Sequence, residues 1–168
     1  MIRSAAAAVC LFAASTTAMA QTQERPCISP AQNEALVAYA LPNLIGALET
    51  RCARSLPGTA FLGTRSTALQ KKLEPQAERA WPRARDTAQK LAGTRLPVDS
   101  RFESVARAAL APAAAAMIAR SFDAERCRIA DRLLAELAPL PPENLAGVMA
   151  LFVELGIEEN AEVPFKVC

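Results

Sequence analysis

No histidine occurs anywhere in the 168 residues. That absence excludes the Ser-His-Asp and Cys-His routes to nucleophilic catalysis, histidine-ligated zinc or copper, and haem attachment through CxxCH. It also removes the side chain most often used for proton transfer near neutral pH. No CxxC pair occurs, and no GxGxxG or GxxxxGK[ST] stretch that would cradle phosphate. No DxDxDG-like run offers a calcium loop, so the acidic residues Glu154, Glu158, Glu159 and Glu162 read as a solvated edge. Ser66 and Lys71 do not have the SxxK spacing of a Ser-Lys nucleophile. No metal or cofactor is therefore expected.

A charge excess is missing as well. The formal net charge is +2, and loss of Arg3 with a cleaved leader brings it still nearer zero. Such a chain has no overall field to hold DNA, RNA or an anionic membrane. Long apolar runs are absent from the body of the chain. The alanine run 113–116 is bounded by Arg107, Pro112 and Arg120, well short of a membrane span, and reads as a closely packed core helix.

What is present begins with a leader. Residues 1–20, MIRSAAAAVCLFAASTTAMA, carry a basic Arg3, an apolar stretch from Ala5 to Ala14 and a small-x-small site at Ala18-Met19-Ala20. These are the parts of a cleaved signal peptide, with a mature start at Gln21 and a single exported domain over 21–168. The Ala7-Ala8-Val9 triplet before Cys10 does not fit a lipoprotein signal. The style of the leader places the product in a bacterial periplasm or outside the cell.

The mature sequence reads as helices. Residues 21–28 form a disordered lead-in. Ser29-Pro30-Ala31-Gln32 is a capping box with proline in the first turn. The stripe Val37, Leu41, Leu44, Leu48, Cys52 follows at helical spacing, with Pro42 as a kink rather than an end. Leu56-Pro57-Gly58 is a break. A short helix over 66–73 is expected to stop at Glu74-Pro75, and a second to run to Leu91 or Ala92, bent at Pro82 and closed by Gly93. After a linker over 94–99, the capping box Ser100–Glu103 opens a helix with Phe102, Val105, Leu110, Met117 and Ile118 as its large apolar residues. Asp123 caps a helix from Ala124 to about Ala138, which is expected to bury Ile129, Leu133 and Leu137. Pro142 starts a last helix with Leu145, Val148, Phe152 and Leu155 on its inner face and Gly156 at its end. The tail 157–168 reads as extended, since Pro164 bars helix. The expected fold class is all-α: one compact domain of about five or six short, proline-kinked helices, stapled by disulfides.

Four cysteines remain after the leader: Cys27, Cys52, Cys127 and Cys168. Arg126 and Arg128 flank Cys127 and would acidify a free thiol. An even count in an exported chain points instead to disulfides. Cys27 and Cys52 bracket the first helix, which sets them on the order of 30 Å apart, against a disulfide Cα separation of about 6 Å. That pairing and its complement are disfavoured. Cys52–Cys127 with Cys27–Cys168 is the preferred arrangement, and Cys27–Cys127 with Cys52–Cys168 the alternative.

Trp81, the only tryptophan, lies among Arg79, Arg83 and Arg85. It reads either as an anchor for an anion or a partner, or as half-buried on an amphipathic helix. Three functions follow: a non-catalytic interaction module for a protein partner, a carrier of an apolar small molecule between helices, and a cofactor-free enzyme using arginine and carboxylates. An apolar cavity would favour the carrier, a solid core with an exposed apolar patch the module, and a cleft joining the arginines to a buried carboxylate the enzyme.

Overall fold

A computed structural model describes residues 25–93, 100–159 and 165–168. The leader over 1–20, the linker over 94–99 and the side chains of Ser100 and Phe102 lie outside the described residues. Among the described residues, six helices and one very short strand pair run in the order β1 (Cys27–Ile28), α1 (Pro30–Cys52), α2 (Phe61–Thr64), α3 (Ser66–Ala92), α4 (Ser100–Arg120), α5 (Ala124–Leu137), α6 (Pro142–Glu159) and β2 (Lys166–Val167). The fold is all-α, as the spacing of apolar residues implies.

Helix α1 is the axis. Its capping box forms as read: the Ser29 hydroxyl accepts from the Gln32 backbone N–H at 3.2 Å, and the Gln32 side chain accepts from the Ser29 N–H at 2.9 Å. Pro42 lies inside the helix without ending it. Helices α3, α4 and α6 all pack on α1. Its core side, Leu41, Ile45, Leu48 and Cys52, joins Leu69 and Leu73 of α3, Leu134 of α5 and Leu145 of α6 in one cluster.

Helix α3 corrects the expected stop at Glu74-Pro75: the chain stays helical from Ser66 to Ala92 through both Pro75 and Pro82. Each proline deprives one carbonyl of its helical donor. Both prolines are on the exposed side, where a freed carbonyl can be solvated, while Leu69, Leu73, Ala77, Trp81 and Ala84 keep one buried face continuous. Gly93 ends the helix at φ 65°, the left-handed cap expected of it.

Three inner faces also differ from the sequence reading. Helix α4 turns its alanines inward, Ala111, Ala115 and Ala119, and leaves Val105, Met117 and Ile118 exposed, so it lies on the outside of the bundle rather than at its centre. Small side chains let α4 approach α1 closely. Helix α5, capped by Asp123 as read, buries Cys127, Ala130 and Leu134; Ile129 is exposed and Leu133 half-buried. The buried stripe is one residue further along because Cys127 is bonded to α1. Helix α6 buries Leu145, Ala146 and Ala150 while Phe152 and Leu155 are exposed, and it continues past Gly156 to Glu159. The buried amide of Asn33 fixes this rotation, donating from Nδ2 to the Ala150 carbonyl at 3.0 Å. The short α2 had no signal in the sequence; the Asp131 carboxylate of α5 accepts from the Leu62 N–H at 2.7 Å and holds it.

The two ends meet. Strand β1 pairs in parallel with β2, Cys27 opposite Lys166 and Ile28 opposite Val167, so the stretch 25–28 is ordered by pairing. Cys27 is bonded to Cys168, with Cα atoms 5.9 Å apart, and Cys52 to Cys127, at 5.5 Å. Among the described residues no helix is long and apolar enough to cross a membrane.

Candidate functional site

The site follows from how small residues are distributed on α4 and α6. Both helices meet α1 through alanines, which turns their larger residues sideways, towards the space between them. Leu110, Ala114 and Ile118 of α4 form one wall, and Met149 and Val153 of α6 the other. The floor is a second apolar side of α1, Leu36, Val37, Ala40 and Leu44, which the neighbouring helices leave only half-covered. The resulting pocket has a volume of about 280 Å³ and is almost wholly apolar. Phe165, placed by the strand pair and the Cys27–Cys168 bond, lines it as well.

A second pocket of about 310 Å³ adjoins the first, between α1, α5 and α6. The two share the lining residues Leu41, Leu44 and Met149, so they adjoin and together make an apolar trough along α1. Phe122, Ile129, Leu133 and Phe152 line the second half. Each half is close to the lower end of the range for small-molecule sites, about 300–1,000 Å³. The exposed apolar residues Ile118, Ile129 and Phe152 belong to its lining, which accounts for part of the apolar surface left by the bundle.

Trp81 is 4% exposed and lines the inner wall of the first pocket; it is not a surface anchor. Its indole N–H donates to Glu103 of α4, its ring packs tilted against that of Tyr39 with centroids 4.8 Å apart, and the Arg107 guanidinium lies 5.6 Å over it. The Tyr39 hydroxyl donates to the Arg107 carbonyl, and Arg107 pairs with Glu78. Burial raises the Tyr39 pKa above its ordinary value, and the Arg107 charge partly offsets this. The phenol serves as a donor joining α1 to α4.

The arginines beside Trp81 do not converge on it. Arg79 and Arg83 are exposed and border a shallow depression with Glu34 and Gln76. Arg85 turns to the other side and bonds Asp86 and Glu103. No cleft gathers the three around a buried carboxylate. Ser66 is buried and donates to Glu49 at 2.7 Å; Lys71 is exposed, and Lys72 donates to the Ala138 and Leu140 carbonyls. Of the acidic edge, Glu162 and the side chains of Glu158 and Glu159 lie outside the described residues. Cys127 is in a disulfide and has no thiol to activate.

The trough residues carried a signal in the sequence that the helical stripes obscured. Helices α1, α4 and α6 are apolar on more than one side, and a helix apolar all round needs cover on all sides. Among the described residues that cover is incomplete, and the uncovered remainder is the trough. No family model matches the chain, and comparison with curated proteins and with solved structures gives no match.

Proposed function

We propose that this protein is a non-catalytic binding protein of the exported space, most consistent with a bacterial periplasm, that carries an apolar small molecule in the trough along α1. The observation that carries the reading is the pair of adjoining apolar pockets that share Leu41, Leu44 and Met149. A concave apolar surface of this size is what a carrier needs. Two buried or end-tying disulfides support an oxidising compartment, and the signal-like residues 1–20 support export.

The test is titration of the oxidised protein with N-phenylnaphthylamine, whose fluorescence rises in apolar surroundings. Saturable binding at one probe per chain is expected. Ala114→Trp, which fills the pocket from an exposed position on α4, should abolish it and leave the helical circular dichroism unchanged. Unsaturable binding, or binding unaffected by the filled pocket, removes the carrier reading.

A second reading, a module for a protein partner, is supported by exposed Leu151 and Leu155 on α6, which do not line the trough. It predicts that Leu151→Asp with Leu155→Asp abolishes partner capture while probe binding persists.

A further inference from the structure

Resting on the carrier reading, we infer that the ligand is a long-chain fatty acid, its carboxylate held at Arg126 and Arg51 and its chain laid along α1 towards Phe165. The trough has two chemically different ends. Among the described residues lining its two halves, Arg126 is the single charged one, and it lies in the half that Phe122 lines. At the far end the lining is Phe165 and the buried Asn33, whose amide is engaged by Ala150.

The turn between α4 and α5 gathers a second guanidinium there. Arg126 donates from Nη1 to the Ser121 carbonyl at 2.7 Å, and Arg51 of α1 donates from Nε to the next carbonyl, Phe122, at 3.1 Å. Neighbouring carbonyls thus hold both side chains at one corner. Each keeps further N–H donors, since a guanidinium has five. Neither Arg51 nor Arg126 forms an ion pair among the described residues. An opposing charge beside Arg126 is Asp123, whose carboxylate caps α5 by accepting the Arg126 backbone N–H at 2.8 Å. Two arginines beside an apolar channel, with their forks not taken by a carboxylate of the protein, suit a carboxylate brought by the ligand.

The dimensions suit one chain. Lining residues on α1 run from Asn33 to Leu48, about 22 Å of helix at 1.5 Å per residue. That is the reach of one extended long acyl chain, which would pass from one pocket to the other at Leu41, Leu44 and Met149. A neutral apolar molecule would leave the basic corner without a partner, and a cationic amphiphile would meet repulsion there.

The experiment uses three probes with the same chain and different heads: palmitate, cetyl alcohol and cetyltrimethylammonium, each below its micelle concentration. Each competes with N-phenylnaphthylamine for the delipidated, oxidised full chain. Palmitate is expected to displace the fluorophore about tenfold more tightly than cetyl alcohol, the worth of one charge-assisted hydrogen bond, and cetyltrimethylammonium least tightly. Arg126→Gln should weaken palmitate far more than cetyl alcohol and so remove most of that preference, and Arg51→Gln with Arg126→Gln should abolish it. Equal competition by all three heads overturns the inference and leaves the carrier reading standing. A loss common to all three in Arg126→Gln overturns it too, since the arginine would then only shape the pocket. Failure of the fluorophore itself to bind removes the underlying reading. Light scattering that shows a dimer dissociated by Ala114→Trp overturns the inference in favour of a second copy as the occupant.

Discussion

Trp81 and Glu103 join α3 to α4 through an indole N–H that donates to the carboxylate at 3.1 Å. Arg85 donates to the same oxygen at 3.2 Å. The tryptophan is buried and the carboxylate half-exposed, so the bond matters more to the indole than the ion pair does to the arginine. Glu103→Ala leaves a buried donor without its acceptor. The expected cost is about 1–3 kcal/mol, read by urea unfolding, with a changed emission from the one tryptophan. Unaltered stability and emission would show that water replaces the carboxylate.

Helix α4 should be intolerant of size on one side only. Ala115 is 1% exposed against α1, while Ala113 and Ala116 face solvent. Ala115→Leu is expected to cost about 1–3 kcal/mol through overpacking. Ala113→Leu and Ala116→Leu should unfold at nearly the wild-type temperature. Similar melting of all three would mean that α4 does not seat through its alanines.

The two disulfides should separate stability from binding. Cys52–Cys127 lies in the core, and its removal as Cys52→Ala with Cys127→Ala should cost about 2–5 kcal/mol in chemical unfolding. Cys27→Ser with Cys168→Ser frees the strand that places Phe165. That variant should keep its helical signal and lose affinity for the fluorescent probe. Retained affinity would remove Phe165 from the site.

Much of the fold is written in local signals. Ser29-Pro30-Ala31-Gln32, the Asp123 cap, Gly93 and Pro142 each act on a few neighbouring residues, and each occurs where the sequence puts it. Orientation is not local. Whether α5 buries Leu133 or Leu134 is set by Cys52 on another helix, and whether α6 buries Phe152 or Ala150 by Asn33. Pro75 and Pro82 stay within one helix because both face water, a fact that the proline alone does not carry. Trp81 was prominent in the sequence for its arginine neighbours, yet its partners are Tyr39, Glu103 and Arg107, distant along the chain. The trough is harder still to read, since it is formed by apolar surface that no helix covers.

Acid should loosen α5 from its first turn. The Arg126 backbone N–H, with help from the Arg126 and Arg128 charges, holds the Asp123 carboxyl below its ordinary range. A pKa lowered by folding gives stabilisation that is complete above the unfolded value and is lost as pH falls through the folded one. Exchange protection of the Arg126 amide should therefore persist to below the ordinary carboxylate range and then fall. Asp123→Ala should lower that protection already at neutral pH. Protection independent of pH in the wild type would show that the cap is not ionic.

The Cys27–Cys168 bond also makes the backbone between those residues a covalent circle, with Cys52–Cys127 as a chord across it. A protease that cuts once, at Gly58 for instance, opens the circle without releasing a fragment. The nicked molecule would keep its full mass on a non-reducing gel and fall into two pieces only when reduced. In a compartment rich in proteases, a single cleavage would leave every helix tethered to its neighbours, able to close again over the same trough.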